Sequence, residues 1–249
     1  FGTRLFVVNG DVTNLSELTN LQSPDTVINS AANVKHFSKG TDIEDVNIGG
    51  AKNCIDFCLR TGARLVHVST TSVGEIWIDR GDGKQVPLLD ERKLWFGQFL
   101  DNRYMHSKFL AERLVLDAVA HHGLNAKIMR VGNLTPRSSD GEFQANFNSN
   151  TYMGRLKIFY TLGCCPYEAY DELTEMSPVD ETARAILLLA STPKECTLFQ
   201  PFNNHTELLG DVLRLMDNIQ TSGHTEMRFV EMDEFQQAVA IAGQNPEKA

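Results

Sequence analysis

Short apolar runs rich in Val and Ile alternate along this chain with longer segments whose apolar residues recur every three or four positions. Residues 4–12 (RLFVVNGDV) read as a buried strand halted by Asn9, Gly10 and Asp11. A weak helical turn is expected at 15–21, and a second buried strand at 26–30 (TVINS) running into Ala31 and Ala32. Residues 43–60 are predicted helical, with Val46, Ala51, Ile55 and Leu59 on one stripe and Gly62 closing the helix. Residues 64–69 (RLVHVS) form a third strand. A polar stretch over 73–100, carrying Gly81, Gly83 and Pro87, reads as a long loop, a length that marks function or mobility. Residues 101–122 predict a strong helix with Phe109, Leu110, Leu114, Ala118 and Val119 on its apolar face and Gly123 at its end. Residues 126–131 are a fourth strand. The pattern then breaks into Gly-, Asn- and Ser-rich segments over 132–176, with one helix at 155–162. Helices at 178–190, 207–219 and 233–242 follow, separated by strands at 197–202 and 226–232.

Continuous apolar strands alternating with amphipathic helices specify an α/β fold. The expected form is a doubly wound parallel sheet, covered on both faces, with a ligand at the carboxyl ends of its strands. Residues 1–131 are assigned to this sheet domain. Residues 132–249 form mainly a smaller substrate lobe, with some segments returning to the sheet.

Composition narrows the function. The 249 residues carry 32 acidic and 23 basic side chains, a net charge of -9, so no basic stripe is available for nucleic acid. No apolar run approaches the ~20 residues of a membrane span. Five cysteines without framework spacing, and no signal peptide, fit a reducing cytoplasm. Cys54 and Cys58 lie one turn apart on an apolar helix face and read as buried thiols; the Cys164-Cys165 pair lacks a partner at ligand spacing, so no metal site is expected. His121 and His122 end a helix and suit its dipole. Trp77, Trp95, Phe96 and Phe99 in the long loop suit a lid or docking surface, and equally plain packing. The chain opens on Phe1 and passes at once into an apolar run, which reads as a piece of something longer.

The sharpest chemistry lies at Tyr104 and Lys108, one helical turn apart and so on one face. An ammonium beside a phenol lowers the phenol's pKa, and a tuned phenol exchanges a proton with a carbonyl or alcohol oxygen. That spacing alone also describes a solvated surface contact. The preceding strand ends in Ser69, Thr70, Thr71 and Ser72, hydroxyls placed where parallel sheets bind ligands. By themselves they would read as a turn or cap. Together with the phenol they can hold a developing oxyanion.

This run of motifs resembles the extended short-chain dehydrogenase/reductases, and within them the terminal thioester reductase domains of nonribosomal peptide synthetases. Carboxylic acid reductases and fatty acyl-CoA reductases are close relatives. The resemblance covers residues 7–239. Gly10-Asp11-Val12 resembles the segment that contacts the cofactor adenine, and Asn29-Ser30-Ala31-Ala32 the turn beneath the cofactor. Asn47-Ile48-Gly49-Gly50 is similar to the Asn-x-x-Gly start of the central helix. Thr70 matches the catalytic hydroxyl, and residues 102–112 (NRYMHSKFLAE) the segment with the catalytic Tyr and Lys. Arg130-Val131-Gly132-Asn133 resembles the stretch beside the nicotinamide, and Ser177-Pro178-Val179-Asp180 the family's Pro-Val-Asp motif.

The resemblance implies catalytic Thr70, Tyr104 and Lys108. It implies cofactor contacts from Asp11, Val12, Ala31, Ala32, Asn47, Lys108, Val131, Gly132 and Asn133. The cofactor so implied is NADPH, and the partner a phosphopantetheinylated carrier protein. The reaction so implied is reductive release of its acyl or peptidyl thioester as an aldehyde, with a second hydride giving an alcohol as the alternative outcome. Residues 130–137 (RVGNLTPR) differ from the Arg-x-x-Asn-x-Tyr-Gly-Pro of nucleotide-sugar epimerases, the first competing reading; a non-catalytic carrier-docking fragment is the second. The family's Gly-x-x-Gly-x-x-Gly turn and first βαβ unit have no counterpart here, and the arginines that select a 2′-phosphate are missing with them.

Overall fold

The computed structural model describes residues 4–14, 16, 24–35, 40–79, 85–95, 97–100, 102–145, 150–218 and 226–244, with 75–79 and 85–89 described by backbone alone. The helical turn expected at 15–21 lies outside these residues except for Ser16, and Gly81, Gly83 and Phe96 lie outside them altogether. The chain divides into two compact units: Phe1–Gly132 with Thr182–Pro201, and Asn133–Glu181 with Phe202–Ala249.

In the first unit, β1 (Thr26–Asn29), β2 (Arg64–Thr70), β5 (Ala126–Val131) and β10 (Leu198–Phe199) form a parallel sheet in the order β1-β2-β5-β10. Its elements of connection are a short helix α1 (Asp42–Glu44), a π-helical turn (Asp45–Gly49), α2 (Gly50–Thr61) and α3 (Arg103–His122). Side chains alternate across the sheet. Leu65, Ala126 and Ile128 pack against Cys54, Phe57, Val115 and Ala118 of α2 and α3. Val66 and Met129 face the other way, toward Ile186, Leu189, Ala190 and Phe199. Helical residues therefore cover both faces, as the pattern predicts. Helices α2 and α3 end on Gly62 (φ 75°) and Gly123 (φ 67°), the left-handed position that favours glycine.

Several expectations are corrected. Residues 4–12 form no strand: Leu5, Phe6, Val7 and Val8 are exposed, because the run finds no pairing partner among the described residues. Strand β1 is present but not buried throughout; Ile28 is exposed and Asn29 is its buried residue. Leu59 lies off the buried face of α2, which instead carries Cys54, Phe57 and Cys58. The long polar stretch is not all loop. A 3₁₀ turn (Thr71–Val73) leads into an antiparallel hairpin of β3 (Glu75–Asp79) and β4 (Gln85–Leu89), whose Trp77 and Pro87 backbones pair in register.

The face of α3 is also different. It buries Ser107, Lys108, Ala111, Glu112, Val115 and Ala118, whereas Phe109, Leu110, Leu114 and Val119 are half-buried. The reason is an ion pair: Arg130 in β5 meets Glu112, both side chains 0% exposed. Arg130 Nε donates to both carboxylate oxygens at 3.1 Å and Nη2 donates to Oε2 at 2.8 Å. The guanidinium lies so close to the chain after β2 that a Cβ on Gly74 would sit 2.4 Å from Nη1.

The second unit also holds more regular structure over 132–176 than the sequence pattern suggests. It contains β6 (Leu134–Thr135), α4 (Thr151–Leu162), β7 (Cys164–Pro166), α5 (Tyr167–Tyr170), β8 (Leu173–Glu175) and β9 (Ser177–Pro178). Helix α6 (Val179–Ala190) crosses the boundary between the units. The rest of the unit is β11 (Thr206–Leu208), α7 (Leu209–Asn218), β12 (Arg228–Val230) and α8 (Met232–Gly243). Strand β6 pairs with β9, β7 with β12 and β8 with β11. Leu156, Phe159, Cys165, Ala169, Leu209, Leu213 and Met227 make its core. These strands are two or three residues long, too short to announce themselves by alternation.

Two glycines give opposite expectations in urea denaturation. Gly74→Ala loses about 1–3 kcal/mol, because the added methyl collides with Arg130 in a packed interior. Gly154→Ala, inside α4 with nothing within 4 Å of its Cβ, gains about 0.5–1 kcal/mol from helix propensity.

Candidate active site

The carboxyl ends of three parallel strands form one rim. Asn29 is opposite His67, and Thr70 is opposite Val131. The chain leaves β1 through Ser30, exposed Ala31 and half-buried Ala32, and leaves β5 through Val131 and Gly132. Thr70 ends β2 and caps the following turn: its Oγ1 accepts from Ser72 N at 3.3 Å and donates to Ser72 Oγ at 3.2 Å. The capping role foreseen for this hydroxyl is therefore real, at the rim where the chemistry was also expected.

Helix α3 carries the phenol and the amine one turn apart and brings the amine to β2. Asn102 caps it, accepting from Tyr104 N at 2.9 Å and Met105 N at 3.3 Å. Arg103 fastens its first turn to α1, donating from Nε and Nη2 to Glu44 at 3.0 and 2.6 Å. Lys108 is 3% exposed, and its Nζ donates to Val68 O at 2.6 Å, two residues before Thr70. Burial pulls this lysine down to about 8, opposed by the nearby charge of Glu112. Burial pushes the Tyr104 phenol up to about 12, the reverse of the lowering expected from Lys108. The cause is that the ammonium is turned to a strand carbonyl, so desolvation of the phenolate dominates.

Asn47, in the π-helical turn, joins three segments. Its Oδ1 accepts from Asn33 N at 2.8 Å, and its Nδ2 donates to Asn33 O at 3.0 Å and Ser107 Oγ at 2.9 Å. The turn after β1 is thereby tied to the face of α3 beside Tyr104 and Lys108. His67 Nδ1 accepts from Asn29 Nδ2 at 3.3 Å. Burial and then the Lys108 charge hold His67 well below the usual histidine range, so the ring is neutral. His67 Nε2 and Ser69 Oγ, both buried, have no hydrogen-bond partner among the described residues.

Asp11 turns its carboxylate onto Thr13, accepting from N and Oγ1 at 2.8 Å each, which holds it below the usual carboxylate range. Val12 rests against Gly50, where a Cβ would stand 2.9 Å from its Cγ1, and Asn53 Nδ2 donates to Val12 O at 2.9 Å. Ten of the expected residues (Asp11, Val12, Ala31, Ala32, Asn47, Thr70, Tyr104, Lys108, Val131 and Gly132) thus belong to the first unit. Asn133 belongs to the second: its N and Nδ2 donate to Glu175. That unit also holds a cleft of about 350 Å³ lined by Leu134, Arg137, Glu142, Phe143, Gln144 and Val179. Sequence reasoning overlooked Glu112 and Gly74. The signals were present: an acid one turn beyond Lys108, and an arginine inside a continuous apolar strand.

A family model described as male sterility protein, an NAD-binding family, matches residues 3–186. The fold is similar to a thiolation-reductase di-domain from an archaeal non-ribosomal peptide synthetase, at 35% identity and a TM-score of 0.83, covering 99% of this chain and 52% of that one. It is similar to the reductase domain of the Aureusimine biosynthetic cluster, at 26% identity and TM-score 0.67, covering 88% of this chain and 56% of that one. It also shares its fold with the terminal R domain of the myxalamid PKS-NRPS pathway, at 22% identity and TM-score 0.79, covering 97% and 60%. The chain thus spans about half the length of the di-domain it matches. No curated protein matches it. Among the described residues no helix is long and apolar enough to cross a membrane.

The buried lysine predicts a measurable cost. Between about pH 8 and the unfolded lysine value of ~10.4, the unfolded chain holds a proton that the folded chain lacks, so folding stability rises with pH across that window. Lys108→Met removes the cost. In urea melts of the chain without ligands, it should be more stable at pH 7 by up to roughly 3 kcal/mol, and the gain should shrink by pH 10. A loss of stability at pH 7, or a gain that does not change with pH, contradicts the assignment.

Proposed function

Since the chain belongs to the male sterility family of NAD-binding proteins, we propose that it is the core of an NADPH-dependent reductase. It releases an acyl or peptidyl thioester from a phosphopantetheinylated carrier as an aldehyde. The observation that carries this reading is the buried Lys108 ammonium bound to Val68 O, two residues before Thr70 on β2, with Tyr104 one turn away on the same helix. The likeness to the thiolation-reductase di-domain supports a carrier as partner, and five free thiols suit a reducing cytoplasm.

The residues fit the ribose–nicotinamide end of the cofactor. Lys108 uses one of its three N–H donors on Val68 O, leaving two for neighbouring ribose hydroxyls. Ala31, Ala32 and Gly132 offer little side chain at the strand ends, where a nucleotide approaches the backbone. When bound, the nicotinamide supplies the hydride.

Thr70 Oγ1 and the Tyr104 hydroxyl hold the carbonyl oxygen as negative charge develops on it. Tyr104 then gives its proton to that oxygen. A phenol held near 12 is protonated throughout the neutral range, so it enters as the acid a reductase needs. Lys108 lends positive charge that eases departure of the phenolic proton. The hemithioacetal collapses, releasing the carrier thiol and the aldehyde. The second unit has a cleft of its own, walled by Leu134, Phe143 and Val179, where Arg137 pairs with Asp140 and Glu142 at 2.9 and 2.8 Å.

The test is oxidation of NADPH with an acyl-pantetheine thioester, with aldehyde trapped and quantified. Tyr104→Phe should lower kcat by roughly 10²–10⁴-fold. Unchanged turnover in that variant, or turnover of sugar nucleotides in place of thioesters, contradicts the proposal.

A further inference from the structure

Beneath the site lie three ionisable groups that the proposed chemistry leaves unexplained in part. Glu112 follows Lys108 by one turn on the buried face of α3, and Arg130 reaches the same carboxylate from β5. Exposure is 3% for Lys108 and 0% for the other two. Arg130 binds Glu112 through Nε and Nη2 and donates Nη1 to Asp90 O at 3.3 Å. Lys108 makes no hydrogen bond to Glu112, donating to Val68 O instead. Two buried cations thus share one carboxylate, which touches one of them and acts on the other through space.

An apolar pair of similar volume would fill the space between α3 and β5 at least as favourably as an ion pair. Packing therefore does not account for the charge. We propose that Glu112 is a positioning residue: clamped by Arg130, its carboxylate keeps Lys108 cationic at the end of β2. The inference deepens the reductase reading and rests on it for its purpose, but concerns a state of Lys108 that can be read without catalysis.

The remaining titratable and charged groups around Lys108 do not supply that negative charge. Tyr104 on α3 is a neutral phenol and His67 on β2 a neutral imidazole. Glu44 on α1 is bound by Arg103, and the Asp90 carboxylate after β4 is bound by Arg92. Arg130 on β5 opposes the lysine's charge. Glu112 is the carboxylate whose charge favours the protonated lysine, against the larger penalty of burial.

The two partners of the ion pair should move Lys108 in opposite directions, which a purely structural pair would not do. The full chain, labelled with carbon-13 at lysine Cε, is titrated by NMR, and the Lys108 resonance is identified by its loss in Lys108→Met. The wild-type midpoint is expected at about 8. Glu112→Leu with Arg130→Met should lower it by about one unit or more, a tenfold loss of proton affinity. Arg130→Met alone leaves Glu112 facing Lys108 and should raise the midpoint by a similar amount. A midpoint that stays within about 0.3 of wild type, or moves the other way, in either variant overturns the proposal. If the double variant does not fold, the sign of the shift in Arg130→Met decides. Midpoints that move as stated in a chain lacking thioester reductase activity would support the role of Glu112 while contradicting the reading of function.

Discussion

Two cations, Lys108 and Arg130, are kept out of water with one carboxylate between them, and much of the first unit is arranged around that constraint. A charge buried without a partner costs several kcal/mol, so the fold must bring α3 and β5 to a fixed spacing. It does so by pairing Glu112 with Arg130 through Nε and Nη2. The guanidinium then fills the volume beside the chain leaving β2, which is why position 74 holds glycine. The same ion pair fixes which face of α3 turns inward, and so which residues of the helix arrive at the end of β2.

From that anchoring the local chemistry follows. Tyr104 and Lys108 share the anchored face, Asn47 ties the turn after β1 to Ser107 between them, and Arg103 fastens the first helical turn to Glu44. The phenol stays protonated and the amine is poised to titrate just above neutrality. In the proposed reading, Lys108 receives the vicinal hydroxyls of the ligand with its solvation cost already met during folding. The stability lost at Lys108 is the counterpart of that readiness.

How much of this was legible in the sequence depended on whether one physical signal dominated locally. The run at 126–131 and the glycines at 62 and 123 were plain, because a continuous apolar strand and a left-handed helix end have few alternatives. The one-turn spacing of Tyr104 and Lys108 and the hydroxyl run ending β2 at Thr70 could be read directly, while the roles of these residues rest on the resemblance. The inward face of α3 was read in part: Ala118, Leu114 and Val119 do pack on the core, but periodicity counts apolar residues and this face also buries Lys108 and Glu112. Residues 4–12 had every mark of a strand, yet a strand exists by its pairing, and no partner is present among the described residues. The hairpin at β3 and β4 hid within a polar stretch for the converse reason: its backbone pairing compensates for weak alternation. The phenol's upward shift was invisible too, because the direction depends on where the Lys108 ammonium points.

The most direct test of the account is calorimetric titration of NADPH into the chain at pH 8.5, repeated in buffers of different ionisation enthalpy. If Lys108 receives the ribose, binding recharges the fraction of lysine that is neutral at that pH. The account predicts saturable binding with net proton uptake that disappears in Lys108→Met. Saturable binding with no uptake, or the same uptake in both proteins, would contradict it.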